Sequence, residues 1–432
     1  DVLRDYYHKW YRPDLQGIIV VGDINVDEIE AKIKSLFNDD SVPVGAPQRT
    51  YYTVPDNKEM IVYTKADKEQ PTLNFSLYMK HDAEPRETRA TREAFLGSYK
   101  SKLAMFILRQ RLAQLSHEAQ PRVMSASCRA GSFYVTTEKD AFALNIGLMP
   151  NNPQVGIDAA IEIVEKARRY GFTEAELEHA KVQHTVNIEH RLDNKDKTRN
   201  AEYAKNIVSN FCSDEPCMNI EYEAALEAEF SASVTLDDIN ETMKEMADNQ
   251  NQVCIVFGPT EYDGKPYTMP SADQFKSWIE NAQKHEYAND NSSRQVDPVF
   301  MKKLPKKGKI LAKQTAANGY TEYLLSNGIK VSARQSDIEP NRLTINMFRM
   351  GGRSLYPDTD APTLQFLGSV VKESGAADFD FLTLEKKRRG KALRVVPYID
   401  AEEEGVKGVC VASDLKTWLQ IMYLYLTNPR KD

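Results

Sequence analysis

The chain has 432 residues, 41% of them apolar and 28% charged, with a formal net charge of −7. That length admits two to four domains, and the composition is that of a globular chain rather than a low-complexity one. No apolar run approaches the ~18 residues a spanning helix needs, no basic-then-apolar leader opens the chain, and the acidic balance argues against a dedicated nucleic-acid binder.

The first stretch with a clear pattern is Lys9–Ile24, KWYRPDLQGIIVVGDI. It reads as a helix end, a turn and a buried strand at Ile18–Val21, closed by Gly22 and Asp23. Tyr6, Tyr7, Trp10 and Tyr11 read as aromatic packing at that helix end. Asn25 then stands as an N-cap, with Asp27 and Glu28 in the first turn. Ile29, Ile33, Leu36 and Phe37 give that helix its apolar face. SVPVGAP (41–47) marks a boundary.

A new unit follows. Met60–Tyr63 reads as a strand, and Leu73, Phe75, Leu77 and Met79 alternate as in a half-buried one. A long helix is expected from about Glu87 to Leu115, strands at about 123–130 and 133–149, and a helix near 154–169. Thr173 to Glu176 forms a capping box that opens another helix, and Thr235 to Asp238 resembles a second, running to about Met246. NQVCIVFGPTEYDG (251–264) is a further strand ending on a glycine. Near the end, Asn327-Gly328 between apolar runs signals a hairpin. Helices at about 361–373 and 380–389, strands at 391–399 and 405–412, and a helix from about Asp414 to Leu426 complete the pattern.

Two landmarks repeat. The strand-glycine-acidic pattern around Gly22 returns around Gly258, 236 residues on, and the strand-turn-strand pattern around Pro71 returns around Pro340, 269 residues on. Matched beginnings and endings imply a tandem α+β unit of about 240 residues. The expected divisions are therefore 1–48, the end of one unit; 49–288, a complete second; 289–318, a polar linker; and 319–432, the first part of a third. Two basic patches, KKLPKKGKILAK (302–313) and EKKRRGKALR (385–394), read as a solvated linker and a solvated helix end. Five cysteines cannot all pair. Cys212 and Cys217 could form a local disulfide, though such sparse cysteines read first as free thiols, and the redox compartment stays open.

The N-terminal WYRP…VVGD stretch, the LSNGIKV and MFRMGGRSL stretches, and YGFTEAELEHAK (170–181) resemble the pitrilysin-like, or insulinase-type, zinc metallopeptidases. The resemblance implies tandem α+β units with a mostly antiparallel sheet and helices packed on it, four to a full protein, closing over a peptide. It also implies a first domain with His-x-x-Glu-His on a helix, two imidazoles and a distal glutamate holding zinc, and the motif glutamate as general base.

None of the seven histidines opens that motif. His81 begins HDAEP, with Pro85 where the second histidine belongs, and His117 begins HEAQP, which fails at Pro121. His179, His184 and His190 are spaced by five and six, which does not stack them on one helical face, and read as solvated surface. His8 and His285 are isolated. Aligned by pattern, Gln365, Phe366, Leu367, Gly368 and Ser369 occupy the five motif positions in the third unit. Gln and Ser supply no imidazole and Gly368 no base.

The expectation is thus a non-catalytic portion of a pitrilysin-type zinc endopeptidase. It would form chamber wall and hinge around a peptide or small-protein substrate, with no cofactor in this chain and zinc held elsewhere in the parent polypeptide. The zinc ligands would precede Asp1, and the family's substrate-clamping Arg/Tyr pair would follow Asp432. The alternative is a peptide-binding or assembly scaffold from a relative inactive throughout. A nucleic-acid module built on the basic patches fits the net charge poorly. No G-x-S-x-G elbow, phosphate loop or G-x-G-x-x-G is present. Compartment and oligomeric state are left open, periplasm and cytoplasm both fitting.

Overall fold

A computed structural model describes all residues except 39–41, 43, 49–51, 119, 135, 292–296, 298, 338, 340, 389 and 432. Part of the 41–47 boundary, the 48/49 division and Pro340 therefore lie outside the described residues. The chain divides into two units, one of residues 1–112, 122–171 and 194–287, the other of residues 113–121, 172–193 and 288–432.

The first unit opens with α1 (Val2–Trp10) and α2 (Val26–Phe37). The Asn25 side chain caps α2, accepting from the amides of Asp27 and Glu28 at 3.1 and 3.3 Å. Its sheet has the order β1-β5-β2-β4-β3, from β1 (Ile61–Ala66), β2 (Leu73–Asp82), β3 (Ser125–Ser132), β4 (Lys139–Leu148) and β5 (Gln252–Gly258). Every ladder is antiparallel except β1 with β5. The helices are α3 (Arg92–Ala113), α4 (Pro153–Tyr170), α6 (Asn200–Ser213), α7 (Ile220–Ser233), α8 (Leu236–Met246) and α9 (Ala272–Lys284). The Thr235 box is present: its hydroxyl accepts from the Asp238 amide, and the Asp238 carboxylate accepts from the Thr235 amide at 2.9 Å. Two-residue strands β6 (Glu261–Tyr262) and β7 (Lys265–Pro266) form a small ribbon.

Strand alternation decides which face is covered. Leu73, Phe75, Leu77, Phe142, Leu144, Ile146, Cys254 and Val256 share one face and are at most 2% exposed. Such residues contribute about 1.5–3 kcal/mol each by burial. A polar lock ties α4 to α9 and to the turn before β5. Buried Glu165 accepts from Arg168 at 2.7 Å, Arg169 at 2.8 Å and Asn249 at 2.7 Å, and the Gln283 amide reaches Asn249 at 3.1 Å. A buried carboxylate is tolerated because each lone pair finds a donor.

The second unit contains α5 (Glu174–Asp193), two three-stranded sheets and three C-terminal helices. One sheet has the order β10-β9-β8, from β8 (Ile310–Thr315), β9 (Thr321–Leu325) and β10 (Lys330–Ala333). Gly328, at φ +84°, turns the expected β9–β10 hairpin. The other has the order β11-β13-β12, from β11 (Arg342–Met350), β12 (Leu393–Ile399) and β13 (Glu403–Val411). On it pack α10 (Ala361–Ser374), α11 (Phe381–Lys387) and α12 (Leu415–Thr427), with Val395, Val406, Cys410, Trp418 and Ile421 in the core. Trp418 is fully buried and its indole donates to the Arg394 carbonyl at 2.8 Å. A Cβ at Gly408 would stand 1.8 Å from that carbonyl oxygen, so only glycine lets the hairpin close under the indole. The order β2-β4-β3 of the first unit recurs as β11-β13-β12, a tandem α+β repeat with mostly antiparallel ladders.

Three expectations fail. Ile18–Val21 is not a strand among the described residues; an extended apolar run becomes a strand only through ladder partners, and none lies beside it. Instead Phe211 of α6 lies 3.0 Å from a Cβ built on Gly17. Tyr6, Tyr7 and Tyr11 are exposed; Tyr7 stacks on Tyr11 at 4.8 Å because the two are one helical turn apart, but no core covers them. The basic helix end at 385–394 is not wholly solvated. Lys387 is buried, donating to the Asp297 carbonyl with its ammonium 4.6 Å from the Phe379 ring, contacts that compensate its desolvation.

Candidate functional site

Residues 365–369 all lie on α10. Gln365 and Ser369 are one turn apart and both exposed, Phe366 is 60% exposed, and Leu367 and Gly368 are half-buried toward β12. A Cβ on Gly368 would stand 3.0 Å from the Pro397 carbonyl oxygen and 3.2 Å from the Tyr398 Cα. Both atoms belong to a strand held by pairing of Pro397 with Val406 and Tyr398 with Gly405. The donor set of these five residues does not fit a catalytic zinc: an amide, a hydroxyl and a glycine offer neither imidazole nor carboxylate. At position 368 the space a side chain would need is filled by close contact of helix and strand.

Beside α10 lies a cavity of about 340 Å³ lined by Met347, Leu367, Gly368, Val371, Pro397 and Tyr398 among others. The Tyr398 hydroxyl sits 2.9 Å from Glu403 Oε1 and 3.0 Å from Asn346 Oδ1, with the Lys407 ammonium 4.1 Å from its ring centre. Burial, then the Glu403 carboxylate, push this phenol up to about 12. The phenol therefore stays neutral at physiological pH, a hydrogen-bonding group rather than a base.

The histidines are dispersed. His117 Nδ1 lies 2.9 Å from Glu373 in the second unit, with its ring 4.6 Å from Phe381. His285 lies against Tyr287 in the first. His179 corrects the solvated reading of its helix. It is 9% exposed, and its Nδ1 accepts the Gly390 amide, a long-range partner that helical spacing could not reveal. Among the described residues, no three His, Cys, Asp or Glu side chains converge as a metal-holding group. No described helix is long and apolar enough to cross a membrane.

The sheet of the first unit offers a second surface. Opposite its buried face stand Ile61 and Tyr63 of β1, both 51% exposed, and Val253, Ile255 and Phe257 of β5, with Phe257 41% exposed and 6.2 Å from Tyr63. Tyr78 of β2 shares the face, ringed by Phe133, Tyr134 and the Arg129 guanidinium. Burial and a hydrogen bond with Tyr78 push the Tyr134 phenol up to about 12. β1 ends the sheet, with one edge unpaired among the described strands. The sequence signal for this surface was VCIVF at 253–257, apolar on both strand faces where one-sided burial calls for alternation.

Comparison with known proteins follows the same lines. Residues 1–183 match the family described as "Peptidase M16 inactive domain". Over an alignment of 437 positions the chain is 24% identical to the probable zinc protease PqqL of Haemophilus influenzae, covering 99% of this chain and 45% of that protein. The ferredoxin protease FusC, solved in complex with Arabidopsis ferredoxin, shares the fold at TM-score 0.59 and 17% identity, over 100% of this chain and 47% of that one. Pitrilysin does so at TM-score 0.55 and 14% identity, over 99% and 44%. The chain thus spans less than half the length of these relatives. The matched inactive-domain segment, the curated relative and the shared fold agree in likening the chain to the insulinase/pitrilysin-type peptidases.

Proposed function

We propose that this chain is the non-catalytic wall and hinge of a pitrilysin-type zinc endopeptidase, with zinc and its ligands supplied elsewhere in the parent polypeptide. The observation that supports this reading is α10, where Gly368 is closed against β12 and where Gln365 and Ser369, aligned with the motif by sequence pattern, offer no imidazole. The divisions 1–48, 49–288, 289–318 and 319–432 are part of the proposal, with the exposed lysines of 302–313 at the hinge, where a clamshell must flex. A relative's complex with ferredoxin supports a small protein or peptide as the substrate. The aromatic face around Tyr63 and Phe257, beside an unpaired strand edge, suits an extended segment held by main-chain hydrogen bonds and apolar side chains.

The test uses the chain itself. After incubation with excess zinc and desalting, elemental analysis should find far less than one ion per chain, and a quenched fluorogenic peptide should stay uncut. A labelled extended peptide should bind by fluorescence anisotropy, with Tyr63→Ala and Phe257→Ala together weakening it about tenfold, the loss expected for central aromatic contacts. One tightly held zinc with chelator-sensitive cleavage would overturn the inert reading. Peptide affinity indifferent to both substitutions would overturn the assignment of the wall surface.

A further inference from the structure

The five cysteines fall into two classes. Cys128, Cys254 and Cys410 are buried, and burial pushes their thiols up, Cys128 to about 12. Cys212 and Cys217 are exposed and flank one corner, the connection from α6 to α7. The corner is folded back on itself. Asp214 takes the left-handed conformation at φ +55°, and its amide donates to the Asn210 carbonyl at 2.8 Å. The Asn210 side chain donates to the Glu215 carbonyl at 2.7 Å, drawing the departing chain back along the last turn of α6, which carries Cys212. Two arginines hold this turn from outside. Arg86 reaches the Cys212 carbonyl at 2.9 Å and the Asp214 carboxylate at 2.7 Å, and Arg89 reaches the Ser213 carbonyl at 3.0 Å.

We propose that Cys212 and Cys217 are a reversible dithiol–disulfide pair that staples this corner. The two thiols stand five residues apart on a chain that the Asn210–Glu215 and Asp214–Asn210 hydrogen bonds fold back on itself, the local arrangement a bond spanning ~4.4–6.8 Å between Cα atoms calls for. Neither thiol is packed in a core that oxidation would disturb. The oxidant is a low-molecular-weight disulfide such as oxidised glutathione. One cysteine thiolate attacks it, forming a mixed disulfide and releasing one glutathione thiol. The second thiolate then attacks the protein sulfur of the mixed disulfide, forming the Cys212–Cys217 bond and releasing the second glutathione thiol. Two protein thiols are oxidised and one glutathione disulfide is reduced to two thiols. The staple joins the end of α6 to the entry of α7, on the helix whose Phe211 supports Gly17.

The test combines intact-mass measurement with differential alkylation of the full chain in glutathione buffers. Under reducing conditions two thiols should alkylate before denaturation and three more after. Under oxidising conditions none should alkylate before denaturation, the mass should fall by two hydrogens, and one cross-linked peptide should contain both residues. Cys212→Ser and Cys217→Ser should each instead retain a single stable glutathione adduct, because the resolving thiol is gone; both sites are exposed, so these variants test chemistry rather than folding. Two glutathione adducts on the unsubstituted chain, or disulfide-linked dimers in place of the internal bond, would overturn the proposal.

Discussion

Three helical glycines test the claim that α10 is closed against β12. By helix propensity alone, Gly→Ala in a helix interior stabilises by up to about 1 kcal/mol. At Gly97 of α3 nothing lies within 4 Å of a Cβ, so the full gain should appear. At Gly368 the new methyl would stand 3.0 Å from the Pro397 oxygen and 3.2 Å from the Tyr398 Cα. Carbon contacts are optimal at ~3.5–4.0 Å, and both neighbours are backbone in a laddered strand, so neither can rotate away. Overpacking of this kind costs about 1–3 kcal/mol, which cancels or exceeds the propensity gain. Gly368→Ala should therefore lose up to about 2 kcal/mol, opposite in sign to Gly97→Ala. The assay is urea unfolding followed by the fluorescence of buried Trp418, with Trp10 and Trp278 replaced by Phe for the second unit, and by circular dichroism for the first. Gly156→Ala, where a Cβ meets a Leu148 methyl at 2.8 Å and the Arg122 carbonyl at 3.0 Å, should behave like Gly368→Ala in the first unit. If Gly368→Ala stabilises as much as Gly97→Ala, α10 has room for a side chain there, and the reasoning that excludes a glutamate falls.

Two further perturbations address the first unit. Glu165→Ala strands Arg168, Arg169 and the Asn249 amide. Breaking a buried ion pair costs about 3–5 kcal/mol, but the arginine side chains keep 27% and 23% of their surface in water, so about 2–4 kcal/mol should be lost in thermal unfolding; a loss under about 0.5 kcal/mol would show that water replaces the lock. Asp238 is held down to about 2 first by Lys100, 2.6 Å away, and then by the Thr235 cap. Because its folded pKa lies below the ordinary 3.8, its contribution is complete above about pH 4 and disappears as pH falls through about 2. Discounted for partial exposure, it amounts to about 1 kcal/mol. Asp238→Asn should remove that much of the acid-side slope and leave the slope above pH 5 unchanged, read from urea midpoints across the range.

What the sequence shows of this protein depends on how local each determinant is. Caps are local: Asn25, Thr173 and Thr235 each satisfy amides within three residues, and each helix start was legible. Strands need partners, and Ile18–Val21 has the composition of a strand without a described neighbour to pair with. The burial of polar side chains is also non-local. His179 and Lys387 read as surface because their partners, the Gly390 amide and the Asp297 carbonyl, lie 211 and 90 residues away. That Gln365 and Ser369 offer no imidazole is visible as residue type, whereas the reason for glycine at 368 is a β12 carbonyl that no spacing rule locates. The repeat shows the difference most clearly. Its sequence landmarks were the run before Gly22, which forms no described strand, and Pro340, which lies outside the described residues. Yet the repeat is present in the pairing order: β2-β4-β3 and β11-β13-β12 each place the third strand of a strand-helix-hairpin between the other two. Short landmark motifs drift because turns tolerate substitution, while pairing order persists because a single-residue slip in register would turn every buried side chain to the wrong face.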